Sequence, residues 1–161
     1  MPAIVPDVPL EQSRHGCCIK KTLALIDELA LPGIAASEYR DFVSIRAATK
    51  LPSVIVAPYG RRYDANAGPC GKDEFELGVV IAVVAKNNRD STGATLGWRL
   101  KCIEQIEDKF LNTRHDAQLP TGGCIKRIVT EPGEEFMEEA YKANLDASFL
   151  LVYWIIQRVR P

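Results

Sequence analysis

The chain has 161 residues, of which 47% are hydrophobic, and this is the size of one compact domain with a single core. Twenty Lys and Arg residues are balanced by 21 Asp and Glu residues, so the formal net charge is -1. That balance excludes a chain-wide attraction to nucleic acid or to anionic lipid. The apolar run at Phe149–Ile156 is much shorter than the roughly 20 residues of a membrane-spanning helix, so we expect a soluble protein with no membrane contact.

Residues 1–14 are predicted to be an extended N-terminal segment, because their prolines oppose a helix. The segment lacks the basic start and the apolar core of a signal peptide, so we expect no export from the cytoplasm in which the protein is made. Apolar residues then recur at three- and four-residue spacing from Ile19 to Ala30, which predicts an amphipathic helix. Pro32 and Gly33 are expected to end it.

Three segments in the first half of the chain predict strands. Apolar and polar residues alternate over Asp41–Arg46, which is typical of a short strand with one wet face. Leu51–Pro58 is a second strand, whose length we expect proline to set at both ends. Phe75–Lys86 is apolar at both alternating sets of positions, which is typical of a central strand covered on both faces.

The second half of the chain begins with a predicted helix. Apolar residues at helical spacing from Leu96 to Phe110 predict an amphipathic helix that ends near Asn112. A side chain within Asp90–Thr92 is expected to cap its N-terminus.

Two strands are predicted after this helix. Alternation over Cys124–Thr130 predicts a strand with Ile125 on one face and Ile128 on the other. Aromatic and β-branched residues over Ala147–Ile156 predict another central strand, whose neighbouring Tyr153 and Trp154 project to opposite faces. Together the elements predict one α+β domain, residues 1–161, in which two main helices pack on a mixed, mostly antiparallel sheet.

A glycine-rich charged segment separates the second and third predicted strands. Residues 59–74 show no apolar periodicity and are expected to form a long loop or hairpin arm. Segments of this length in a compact domain are commonly functional or ordered by a partner. A solvated turn and a contact surface both fit the pattern, and the candidate contact residues are Tyr59, Arg61, Arg62, Tyr63 and Lys72.

An acidic run follows the fourth predicted strand. Five of the nine residues from position 131 to 139 are glutamates, namely Glu131, Glu134, Glu135, Glu138 and Glu139. One interpretation is a turn followed by a short exposed helix. The other is an acidic surface that faces a basic partner or a channel through which DNA passes.

No residue pattern predicts a reaction. The segment Gly68–Lys72 lacks the first glycine and the Ser or Thr of a phosphate-binding loop. His15 and His115 have no nucleophile in an elbow-like turn beside them. Five cysteines without a Cys-x-x-Cys pair are expected to be reduced thiols, and His15 near Cys17 and Cys18 is short of a metal-ligand set. We therefore expect no enzyme, no cofactor and no metal.

The order of these segments resembles the tail-terminator and tail-completion family of tailed bacteriophages, which also includes neck and head-tail connector proteins. The resemblance covers about residues 15–158. The segments that carry it are Leu51–Pro58, Leu77–Ala85 with Asp90–Thr92 after it, Leu96–Leu111, and Leu150–Trp154.

The resemblance implies a structural protein of the virion neck, at the head-proximal end of the tail. Members of the family form homo-oligomeric rings, here expected to be a hexamer, that cap the tail tube and join it to the head. The expected partners are the tail tube protein and head-tail connector proteins, with DNA passing through the channel without sequence-specific binding. Residues 59–74 would then contact neighbouring subunits or the tail tube, and the acidic run would face the channel.

Three alternatives stay open. A head-side connector or stopper would bind the portal or an adaptor instead of the tail tube. A small cytosolic ligand-binding or regulatory domain would use residues 59–73 as its ligand loop. A cysteine-dependent enzyme would require a thiol with a depressed pKa.

Overall fold

The computed structural model describes residues 6–40, 50–64, 72–87, 95–114, 118–133 and 144–159. A short 3₁₀ turn at Leu10–Gln12 precedes the main elements, which are α1 (Arg14–Leu29), β1 (Ala36–Tyr39), β2 (Ser53–Asp64), β3 (Lys72–Lys86), α2 (Leu96–Asn112), β4 (Cys124–Pro132) and β5 (Leu145–Val159). The strands form one five-stranded sheet in the order β1-β2-β3-β5-β4. Among the described strands, β1 and β2 pair in parallel and the other three pairs are antiparallel, so the predicted mixed, mostly antiparallel α+β fold is confirmed.

Strand β3 lies in the middle of the sheet, as its apolar sequence predicted. It pairs with β5 along its whole length, from Lys72 opposite Val159 to Lys86 opposite Leu145. Every residue from Leu77 to Ala85 is buried. Since residues paired across strands project to the same face, this register assigns the side chains of the neighbouring strands to one face or the other.

Both described helices pack on the same face of the sheet, which we call the helix face. Trp154 of β5 lies at its centre, where its indole Nε1 donates to Thr22 Oγ1 of α1 at 3.3 Å. The same ring meets Phe110 of α2 edge to face, with centroids 5.9 Å apart. The alternating residues of β3 on this side are Leu77, Val79, Ile81 and Val83.

The other face of the sheet, which we call the open face, has a second apolar cluster and carries no helix of the described part of the chain. Tyr153 projects to this face, so the predicted opposition of Tyr153 and Trp154 is confirmed. The buried residues of the cluster are Ile55, Ala57, Val80, Ala82, Val84, Ala147 and Phe149.

Helix α1 begins five residues earlier than the apolar pattern predicted. Ser13 caps it, because its hydroxyl accepts a hydrogen bond from Gly16 N at 2.9 Å. Gly16 permits a close approach to the preceding turn, since a Cβ there would lie 1.7 Å from Leu10 O. The prediction of an extended segment is therefore wrong for Leu10–Gln12, and residues 1–5 lie outside the described residues.

Helix α2 has nearly the predicted bounds. Its N-cap position is Thr95, whereas the predicted caps at Asp90–Thr92 lie outside the described residues. Its one buried charge is Arg99, which donates to Ser148 Oγ of β5 and to Thr95 Oγ1. Thr95 in turn donates to Asp146 Oδ2 at 2.7 Å, so this chain of hydrogen bonds joins the start of α2 to the start of β5.

The strand predictions before β3 need two corrections. The predicted strand at Asp41–Arg46 lies outside the described residues, and the edge strand β1 forms earlier, at Ala36–Tyr39. Pro58 does not end the second strand: β2 continues to Asp64 after a bulge between Pro58 and Arg61. Bulges insert extra residues without breaking a ladder, so a proline at that point is tolerated.

The predicted loop arm is therefore largely a β-hairpin. Arg61, Arg62 and Tyr63 pair with Leu77, Glu76 and Phe75 of β3, and Lys72 already belongs to β3. The alternative of a hairpin arm fits, and only residues 65–71 between the two strands lie outside the described residues.

A second bulge corrects the predicted faces of β4. Its register shifts between Ile125 and Arg127. As a result Ile128 and Ile125 both contact the core of the helix face, instead of opposing each other as simple alternation predicted. Lys126, at the bulge, reaches Glu74 of β3 on the open face with an Nζ–Oε2 distance of 3.0 Å.

We predict that Gly78→Ala destabilises the protein by about 1–3 kcal/mol or more, because a Cβ there would lie 1.7 Å from the backbone oxygen of Tyr59. The matched control is Gly97→Ala in α2, where a Cβ meets nothing within 4 Å. That variant is expected to gain up to about 1 kcal/mol from helix propensity. Urea unfolding followed by circular dichroism measures both changes, and equal stability of the two variants would contradict the register of the β2 bulge.

Candidate interaction surfaces

The β2 bulge divides the predicted contact residues between the two faces of the sheet. Tyr59 lies beside Tyr153 on the open face, with ring centroids 6.5 Å apart. After the bulge, Arg61 pairs with Leu77 and Tyr63 pairs with Phe75, so both are on the helix face. The predicted residues are thus not one surface but two.

Arg62 and Lys72 complete the set on the open face. Arg62 pairs with Glu76, and Lys72 pairs with Val159 at the end of β5. Both are exposed. Opposite charges directly across a pair of strands stabilise a sheet modestly, which suits a solvated sheet surface.

A cluster of cations and aromatic rings forms where the hairpin meets the start of α1; we call it the basic-aromatic patch. Its centre is the buried ring of Phe75, which the guanidinium carbons of Arg14 and Arg158 approach to 4.9 and 5.3 Å. Tyr63 packs on the same ring at a centroid distance of 5.0 Å and is 51% exposed. Cations over aromatic faces are attracted by the ring quadrupole, so Phe75 holds both arginines in place.

A pocket of about 240 Å³ opens beside this patch. Its wall includes Arg14 and His15 from α1, together with Arg61 from β2. His15 Nε2 donates to Gly78 O at 2.6 Å, because a carbonyl oxygen only accepts. The full lining is Gln12, Ser13, Arg14, His15, Arg61, Phe75, Leu77 and Thr121.

The charges around the pocket are unevenly balanced. Arg158 pairs with the buried carboxylate of Asp73 at 3.4 Å. Among the residues that the structure describes, Arg14 and Arg61 have no ion-pair partner. Positive charge without compensation therefore collects on the pocket side of the patch.

Tyr153 joins two predicted residues on the open face that sequence reasoning treated separately. Its ring lies against Tyr59, and Glu131 is close enough to interact with it electrostatically. Burial raises the pKa of Tyr153 above its usual value, and Glu131, Tyr59 and Glu76 add to the rise. The first glutamate of the acidic run, Glu131, thus lies near Tyr153 on the open face, whereas Glu134, Glu135, Glu138 and Glu139 lie outside the described residues.

Two kinds of site, a metal site and a reactive thiol, need particular groups of side chains. No group of three or more His, Cys, Asp or Glu side chains that could hold a metal ion occurs among them. Burial raises the pKa of Cys18 to about 12 and also raises that of Cys102, which is opposite to the activation of a nucleophilic thiol. In the described part of the chain, no helix is both long and apolar enough to cross a membrane.

Comparison with solved structures finds proteins of similar fold. No family model matches the chain, and no curated protein does. The fold is similar to that of the sheath/tube terminator of the PVC extracellular contractile injection system in its extended state, with a TM-score of 0.45 and 11% sequence identity. The similarity covers 98% of this chain and 61% of that terminator, so this chain spans less than two thirds of its length.

We predict that the described cysteines differ sharply in reactivity. In the folded Cys70→Ser variant, iodoacetamide at pH 8 is expected to alkylate exposed Cys124 quickly and buried Cys17, Cys18 and Cys102 slowly. Mass spectrometry of digests measures each site. A further Cys124→Ser change should remove the fast phase, and urea should restore reactivity at every remaining thiol. Fast labelling of Cys18 or Cys102 would support the alternative hypothesis of a cysteine-dependent enzyme.

Proposed function

We propose that this protein is a structural protein of a tail-like particle, which assembles as a ring that ends the tail tube and joins it to the head. The observation that supports this most strongly is the unit formed by β2, β3, α2 and β5. These elements are the segments on which the resemblance to the tail-terminator family depends, and they pack as one sheet with α2 on its helix face. Such a unit is rigid enough to hold contacts at both ends of a channel.

The distribution of the contact residues suits a subunit with two neighbours. Arg61 and Tyr63 on the helix face are proposed to contact an adjacent subunit. The residues proposed to contact the tail tube lie on the open face and are Tyr59, Arg62 and Lys72. One hairpin with exposed side chains on both faces of the sheet can therefore contact a neighbouring subunit and the tail tube at the same time.

The balance of charge suits a channel through which DNA slides. A surface that neutralises many phosphates binds DNA tightly and retards it. This chain has a net charge of only -1, and on the open face cations alternate with carboxylates such as Glu74 and Glu76. We propose that DNA passes without sequence-specific binding.

A ligand-binding domain is the candidate from another class, and the pocket beside Arg14 and Arg61 is the observation in its favour. Its volume of about 240 Å³ is below the usual range of small-molecule sites, roughly 300–1,000 Å³. The ring is therefore preferred.

We predict that the protein is located at the neck of particles from its source. Immunogold labelling of purified particles, heads and free tails, viewed by electron microscopy, measures this. Gold at the neck and at the upper end of free tails is expected for a tail terminator. Gold at the neck and on heads alone would favour the head-side connector that binds the portal or an adaptor. Absence of gold from every particle, with an accessible-epitope control, would contradict a virion protein.

A further inference from the structure

We infer that the pocket at Arg14 and Arg61 receives the acidic run of a second copy of this chain, beginning with Glu131, and that this contact joins neighbouring subunits. The inference rests on the proposed ring and names the two surfaces that would form its repeated contact. Its basis is the unbalanced charge of the pocket and the position of Glu131 across the sheet from it.

The side chain of Arg14 is fixed by its contacts, and neither Arg14 nor Arg61 has an anionic partner among the described residues. Arg14 Nε donates to Gly122 O at 3.3 Å, and its guanidinium lies on Phe75. These contacts fix the side chain and leave its terminal Nη groups without a described hydrogen-bond acceptor. Arg61 lines the same pocket and has no described ion-pair partner. Fixed guanidinium groups bind carboxylates with little loss of side-chain entropy.

The rest of the pocket suits a carboxylate on a short side chain. Phe75 and Leu77 form a buried apolar part of the wall, and an apolar surrounding strengthens charge-assisted hydrogen bonds. Thr121 lines the pocket with a buried hydroxyl that has no hydrogen-bond partner among the described residues. A buried hydroxyl without a partner is unfavourable, and an incoming carboxylate oxygen would accept its hydrogen.

The sheet prevents Glu131 from reaching the pocket of its own chain. Arg61 is on the helix face, whereas Glu131 pairs with Leu151, which packs on the cluster of the open face. Glu131 is exposed, and no ion pair within the described residues engages its carboxylate. Its carboxylate is therefore available to another chain.

Two complementary surfaces on opposite faces of one chain produce a head-to-tail contact. Such a contact repeats from subunit to subunit and closes into a ring when the rotation allows it. The acidic run supplies five carboxylates in nine residues, and the pocket supplies two uncompensated guanidinium groups. The occupant is thus a second copy, and both halves of the contact are present in every subunit.

The test compares Arg61→Gln with Arg62→Gln, two neutralised arginines that are adjacent in the chain and exposed on opposite faces. Sedimentation at several protein concentrations measures self-association. Arg61→Gln is expected to weaken association by about tenfold or more. Arg62→Gln is expected to stay within about twofold of the wild type. Circular dichroism verifies that both variants keep the fold.

A mixing experiment distinguishes a head-to-tail contact from other arrangements. One partner carries Arg14→Gln and Arg61→Gln, and the other carries Glu131→Gln, Glu134→Gln and Glu135→Gln. Each alone is expected to be monomeric in native mass spectrometry. An equimolar mixture is expected to form dimers containing one chain of each kind and nothing larger, because only one intact contact remains.

Three outcomes would overturn the inference, and they separate it from the proposed function. If the Arg61→Gln variant forms rings as readily as the wild type does, the contact is rejected and the proposed ring is retained. Dimers of identical variants would show a contact of another kind. A wild-type protein that is monomeric at every concentration and absent from the particle neck would reject the inference and the proposed function together.

Discussion

The burial of β3 on both faces is the constraint on which the rest of the structure depends. From Leu77 to Ala85 every residue is buried, and the strand is paired with β2 on one side and with β5 on the other. A strand covered in this way has no freedom to slip, because a shift by one residue would exchange its faces. Its register therefore determines which side chains of the neighbouring strands face the helices.

The candidate interaction surfaces follow from small departures from that register. The bulge after Pro58 places Tyr59 beside Tyr153 and turns Arg61 toward α1, and it requires a glycine at position 78. The bulge after Ile125 keeps Ile128 against the core of the helix face and lets Lys126 form a salt bridge with Glu74. Bulges and charges also protect the edge strand β4 from uncontrolled pairing. The β2–β3 hairpin and the edge strand β4 thus pack on the core and also expose side chains of both charges.

The sequence predicted the elements whose patterns are long and periodic. Strands β3 and β5 and helix α2 were predicted because apolar residues alone define them. Strand β1 was missed because Ala36–Tyr39 has no apolar alternation and forms through pairing with β2. Among the site residues, Arg61 and Glu131 were found from charge, but the contacts of Arg14 with Phe75 and of Tyr153 with Tyr59 join distant parts of the chain. A local pattern carries no signal for such contacts.

The central claim is that copies of this chain meet with unlike faces and close into a ring at the end of a tail tube. Cryo-electron microscopy of the assembled wild-type protein tests it most directly. The account predicts a closed ring of one size, in which the pocket of Arg14 and Arg61 in each subunit meets the open face of the next near Glu131. Monomers at all concentrations, or two-fold dimers that join identical faces, would contradict it.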